Sequence, residues 1–202
     1  MPSPQCYPRV VLPLLLLALN GCASHKLLRL ENQLLERENI DLQTELDQCS
    51  ESTLPEGYAR KVDLEVIKRF LAKTEYGDHE TVNDQVITVP VKGKNTSFQV
   101  NLQLFAREKV LFMVATGYLR LEQATTSKAM VLLLTQLAAL NYDLLIGKFQ
   151  LNPGTGDITL SAEINLDDGI GFQTFQSVLH HLIQTADIRY PELVRAARGQ
   201  GI

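Results

Sequence analysis

The chain has 202 residues, with 19 Lys and Arg against 23 Asp and Glu, and a formal net charge of −4. Without a long Lys/Arg run it offers no footprint for nucleic acid, and its acidity gives no electrostatic pull toward anionic lipid. Its three cysteines, Cys6, Cys22 and Cys49, do not form a disulfide framework or a metal cluster.

The chain begins with Pro2, Pro4, Pro8 and Pro13, which a buried helix would not tolerate. Arg9 precedes an apolar run from Val10 to Leu19 that is too short to cross a bilayer and has the length of a signal-peptide core. Leu19-Asn20-Gly21-Cys22 then resembles the lipobox of bacterial lipoproteins. The resemblance implies a lipoprotein signal peptide over residues 1–21, cut before Cys22, and a diacylglycerol on the Cys22 thiol. Ala23 implies sorting to the outer membrane, so the protein would be lipid-anchored in the bacterial cell envelope and face the periplasm. The other readings are a disordered apolar N-terminus with a chance cysteine, and an uncleaved signal anchor.

Residues 22–49 follow as a lipidated N-terminus and a stalk. "HKLLRLENQLLERENIDLQTELDQC", residues 25–49, lacks Gly and Pro and is dominated by strong helix formers. Leu28, Leu35, Leu42 and Cys49 recur every seven residues, and Asn32, Asn39 and Leu46 form the second series. Read as d and a positions they make a short coiled-coil seam, in which the two asparagines cost stability and fix register. Leu27, Leu30, Leu34 and Ile40 widen the apolar surface. Three arrangements fit: a homodimer through residues 25–49, a lone stalk or helix packed on the domain, and partial disorder. In a parallel dimer two Cys49 residues would meet and form an intermolecular disulfide. "SESTLPEGYA", residues 50–59, reads as a linker.

A globular domain is expected over residues 60–198, with a flexible tail at 199–202. "VDLEVIKRFLAKTEY" is helical, with Asp63 as cap, Val66, Ile67, Phe70 and Leu71 on one face, and Gly77 at its end. "VITVPV" is a strand with Pro90 marking an edge or bulge. "KGKN" is a hairpin turn. "FQVNLQLF" alternates, with Phe98, Val100, Leu102 and Leu104 on one face and Gln99, Asn101 and Gln103 on the other. "VLFMVATG", residues 110–117, is a third and more deeply buried strand. Residues 125–145 form a core helix capped by Thr126 or Ser127, with Met130, Leu133, Leu134, Leu137, Leu140, Leu144 and Leu145 as its apolar face. "KFQL" and "ITLSAEINL" are adjacent antiparallel strands across the turn "NPGTGD", and "DDGIG" closes the sheet. The last long helix spans Phe172 to Asp187, and Tyr190-Pro191 opens a short terminal one. The fold class is α+β: an α-βββ-α-ββ-α antiparallel sheet with helices packed on a face, preceded by the helical coiled-coil segment.

Two stretches, "ALNYDLLIGKFQLNPGTGDITLSAEI" and "TADIRYPELVRA", carry a family resemblance through Asn141, Gly147, Lys148, Phe149, Asp187, Tyr190 and Pro191. The order and these signals resemble the YbjN-like domain, which is similar to bacterial type III secretion chaperones. The resemblance implies binding of polypeptide partners or a regulatory role, without known catalysis.

Residue patterns for chemistry are sparse. His180 and His181 are consecutive and point apart on a helix, without metal-ligand spacing. "GDHE" reads as a solvated turn. "NPGTGD" lacks a phosphate-loop ending, and "NLDDG" lacks the ligand alternation of a calcium loop. No catalytic, metal or cofactor-binding residue is assigned, and no cofactor is expected. The face of Gln99, Asn101 and Gln103 and the edge near Val86–Val91 could accept an unknown protein partner through backbone pairing or polar contacts; the alternative is an ordinary solvated sheet face. The expected function is a non-enzymatic, lipid-anchored protein-binding or assembly module. The alternatives are a structural, self-associating envelope lipoprotein and, third, an unrecognised hydrolase.

Overall fold

The computed structural model of the protein describes residues 24–52, 56–121 and 126–200. The leader, residues 1–21, and Cys22 lie outside the described residues, as do the side chains of Leu28, Leu46 and Cys49. Two units divide the chain, residues 1–54 and 55–202.

In the first unit α1 (Ser24–Ser52) is a single helix of 29 residues. It runs beyond Cys49 because no Gly or Pro interrupts it before Pro55. The linker expected over residues 50–59 is therefore shorter. Its first three residues are helical, and Tyr58–Ala59 form a short strand, β1.

In the second unit, α2 (Leu64–Leu71) starts where Asp63 Oδ1 accepts a hydrogen bond from the Val66 backbone N–H. It buries Val66, Ile67, Phe70 and Leu71, the four residues its periodicity marks. The helix stops well before Gly77. Thr74 turns back and donates both its backbone N–H and its hydroxyl to the Leu71 carbonyl, which closes the last turn.

Six strands make one antiparallel sheet in the order β2-β3-β4-β5-β7-β6: β2 (Glu80–Thr81), β3 (Val86–Lys92), β4 (Ser97–Phe105), β5 (Val110–Arg120), β7 (Asp157–Asn165) and β6 (Lys148–Leu151). Alternation sorts their side chains. Ile87, Val89, Phe98, Val100, Leu102, Leu111, Met113, Phe149, Ile158 and Leu160 point to the side that is buried. The helices α3 (Ser127–Asp143) and α4 (Phe172–Ala197) pack on that side, and α2 packs against α4. Phe70 meets Phe172 and Phe175 with ring centroids 5.7 and 5.5 Å apart. "DDGIG" does not close this sheet: Ile170–Gly171, β8, pair instead with β1 in a two-stranded ribbon.

α3 is capped by Thr126, whose hydroxyl accepts from the Ala129 backbone N–H. Its buried residues are Ala129, Leu133, Gln136, Leu137 and Leu140, while Leu134 and Leu145 are exposed. The helix ends at Asp143, so Leu145 falls off the helical face that its spacing suggested.

The C-terminal segment is one helix rather than two. Pro191 sits inside α4. A proline there removes the bond from its own nitrogen to the carbonyl four residues earlier, that of Asp187. Asn95, in the β3–β4 turn, supplies the missing donor: its Nδ2 lies 3.1 Å from the Asp187 carbonyl oxygen. The neighbouring Ala186 carbonyl accepts from the Tyr118 hydroxyl at 2.7 Å. The helix thus passes through the proline with its freed carbonyl satisfied. Gly199, at φ 72°, and Gln200 then close it, donating to the Ala196 and Arg195 carbonyls.

Candidate interaction surface

Among the described residues of the second unit, the helices cover one side of the sheet and leave the other open. Register places Val86, Gln103, Phe112 and Glu163 in one cross-strand row on this open side, and Thr88, Asn101, Val114, Ser161 and Lys148 in the next. Asn101 is tied into the row. Thr88 Oγ1 donates to Asn101 Oδ1 at 2.9 Å, and Asn101 Nδ2 donates to Thr116 Oγ1 at 3.4 Å. Gln99 and Gln103 flank this chain, and among the described residues no hydrogen bond holds either amide. The three residues picked out by alternation therefore do share one face, with the central one orienting and the outer two free.

Sequence reasoning missed the apolar half of this face. The strand at 110–117 reads as more deeply buried than its neighbours, since nearly every residue is apolar, and that reading assigns it no open side. Only Leu111, Met113 and Ala115 are fully buried, while Val110, Phe112 and Val114 lie half-buried on the open side. A strand apolar on both faces needs a cover on both, and here one cover is missing.

Both sheet edges are partly covered. In β3 the odd-numbered residues bond toward β4, as in the Leu104 N–H to Gln85 carbonyl bond, so the even-numbered ones face the edge. β2 pairs with the Ile87–Thr88 portion, and the next edge-facing residue is Pro90, which has no N–H to offer. At the far edge, the Asn141 side chain of α3 takes both backbone groups of Phe149. Its Oδ1 accepts from the Phe149 N–H at 2.7 Å and its Nδ2 donates to the Phe149 carbonyl at 2.9 Å. On the edge near Val86–Val91, β2 covers Ile87–Thr88 and Pro90 offers no N–H.

A second concave feature is an open groove of about 1120 Å³ between α3 and the β6–β7 hairpin, with Met130, Leu137, Phe149 and Leu151 in its floor and Arg120 at its rim. Arg120 is held by the hairpin, donating to the Thr155 carbonyl at 3.0 Å.

The remaining polar groups serve the scaffold. Asp187 gathers the β3–β4 turn, its carboxylate accepting from the backbone N–H groups of Lys94, Asn95 and Thr96 at 3.0, 2.8 and 3.1 Å. Burial raises its pKa, but these donors and the Asn95 amide outweigh that and hold it below the usual carboxylate value. Burial, followed by the effect of neighbouring Tyr190, pushes the Tyr118 hydroxyl up. His180 Nδ1 lies 3.0 Å from the Tyr76 hydroxyl and 3.3 Å from Glu75 Oε1. Burial is the main cause, with Glu75 the second, that raises the Tyr76 pKa. His79 Nδ1 bonds the Gly77 carbonyl, and the side chains of Asn165 and Asp167 bond each other across their loop. Among the described residues no group of three or more His, Cys, Asp and Glu is placed to hold a metal, and no helix is long and apolar enough to cross a membrane.

Residues 63–194 match the YbjN family, described as "Putative bacterial sensory transduction regulator". No curated protein matches the chain in sequence. Among solved structures it is similar to YbjN, "a putative transcription regulator from E. coli", at 13% identity and a TM-score of 0.53, covering 70% of this chain and 96% of that one. That likeness is one of fold. The ExsC–ExsE complex, at 20% identity and a TM-score of 0.46, covers 65% of this chain and 97% of its own. The HopA1–SchA chaperone–effector complex, at 14% identity and a TM-score of 0.44, covers 65% and 98%.

Proposed function

The chain belongs to the YbjN family, and from that premise we propose that it is a non-enzymatic protein-binding module, held to the outer membrane through acyl groups on Cys22 and facing the periplasm. The observation that carries the binding role is the open sheet side, where half-buried Phe112 and Val114 stand beside the free amides of Gln99 and Gln103. Apolar area flanked by unpaired amides is the composition of a protein contact. Because β2, Pro90 and Asn141 cover parts of the two sheet edges, we place the partner across the face. The membrane location is supported by Leu19-Asn20-Gly21-Cys22 and by the signal-like run before it.

The test uses Phe112→Glu, compared with Glu65→Arg on exposed α2, in the full chain. Phe112→Glu is expected to reduce recovery of the partner crosslinked in the native envelope at least about tenfold, equivalent to about 1.4 kcal/mol, while the domain stays folded with a loss of about 1–2 kcal/mol in unfolding, because the change removes a half-buried ring and sets Glu opposite Glu163. Equal recovery from both variants contradicts the assignment of the face. Membrane location is tested separately: Cys22→Ser is expected to move the protein from the membrane to the soluble fraction.

A further inference from the structure

α1 is a helix of 29 residues, about 43 Å long, and every side chain from Arg29 to Thr44 is exposed. Leu35 and Leu42 are 57% and 51% exposed. The first turn holds no acidic residue and the last no basic one, so the helix dipole is uncompensated at both ends. In proteins most of a helix's stability comes from packing its apolar stripe, and here that stripe is uncovered.

We propose that a second copy of this chain covers that stripe, the two α1 helices lying in parallel along Leu28, Asn32, Leu35, Asn39, Leu42 and Leu46. The period of seven residues is that of a left-handed supercoil, and the asparagines in its a series favour low oligomer order. Orientation follows from the asparagines. In a parallel pair Asn32 meets Asn32 of the other copy and Asn39 meets Asn39, so each amide finds an amide. In the antiparallel pair with the same seam, Asn32 falls opposite Leu42 and Asn39 opposite Leu35, which leaves every seam amide against a leucine. The flanking charges do not separate the two orientations. Parallel register sets Glu38 opposite Gln43 and Glu31 opposite Glu36, the latter a like-charge contact made twice by symmetry. Antiparallel register sets Glu38 against Glu38 and Glu36 against Glu36 on the axis. Leu27, Leu30 and Leu34 lie off the seam and take no part. Position 49 is the next d position, so the two Cys49 residues stand opposite each other at the end of the pair.

The full chain in detergent micelles, with Cys6, Cys22 and Cys49 changed to Ser, carries the test. Single cysteines are placed on the seam, Asn39→Cys or Leu42→Cys, and off it, Gln33→Cys. Diamide is the oxidant: it takes up the two protons and two electrons released as two thiols become one disulfide. Seam cysteines are expected to crosslink to their own copies about tenfold faster than Gln33→Cys, and the mass by light scattering is expected to be that of two chains. The Leu35→Glu, Leu42→Glu double variant is expected to fall to one chain while the melting transition of the folded domain stays in place. A mass of one chain before substitution, or equal crosslinking on and off the seam, overturns the proposal. Crosslinking only between mixed Asn32→Cys and Leu42→Cys chains overturns the parallel orientation. None of these readouts involves the sheet face or the lipid, so their failure leaves the reading of the open face intact.

Discussion

Asp187 shows how much one side chain can hold. Its carboxylate gathers three consecutive backbone N–H groups of the β3–β4 turn, and its carbonyl takes the Asn95 amide. Asp187→Ala is expected to cost about 1–2 kcal/mol in denaturant unfolding, the lower part of the range for charged hydrogen bonds because the site is wet. The pH dependence follows from the direction of the shift. The folded-state pKa lies below the ordinary carboxylate value. The contribution is therefore full above the unfolded pKa and is lost as pH falls through the folded one. Asp187→Asn should flatten the acid limb of stability against pH relative to the parent. An unchanged limb would show that the carboxylate contributes nothing. Asn141 is the second such residue. Asn141→Leu leaves the Phe149 N–H and carbonyl unpaired, with an expected loss of about 1–3 kcal/mol, and uncovers the β6 edge. Concentration-dependent association of the variant, read by light scattering, checks the edge role.

At the scale of elements, α4 is where local rules and tertiary context disagree. A proline in a helix interior ordinarily costs about 3 kcal/mol, and on that ground a break before Pro191 was the reasonable expectation. The donor that replaces the missing bond comes from Asn95, almost a hundred residues earlier in the chain, and no local pattern reveals it. A double-mutant cycle measures the arrangement. Asn95→Ala is expected to destabilise the fold, and Pro191→Ala, by restoring the backbone donor, to recover part of that loss, with a coupling of about 0.5–3 kcal/mol. Strict additivity of the two changes would refute the compensation. Other elements were legible because their signals are local. Asp63 and Thr126 cap their helices as their positions suggest. The alternation of β4 sorts its two faces correctly. The end of α2 was not legible, since Thr74 stops it before the glycine. Neither were β1, β2 and β8, whose two residues each carry no periodicity. The open side of β5 was hidden as well, because a run of apolar residues does not say which face the helices will cover.

For the whole molecule, the sheet is a layer with one covered side, and the proposed function rests on the bare one. The polar half of that side was readable from Gln99, Asn101 and Gln103. The apolar half, Phe112 and Val114, emerged only from the register of four strands. Pro90 and Asn141 interrupt the two edges, so association by strand pairing is hindered while the face stays available. The direct measurement is site-specific photocrosslinking in the native envelope, with the photoreactive residue placed at Gln103 on the open face, at Glu65 on α2, and at Gln103 again in a Phe112→Glu background. A discrete protein adduct is expected from Gln103 alone, lost when Phe112 becomes Glu. Adducts of equal yield from Gln103 and Glu65, or an adduct at Gln103 that persists with Phe112→Glu, would contradict the open sheet face as the binding surface.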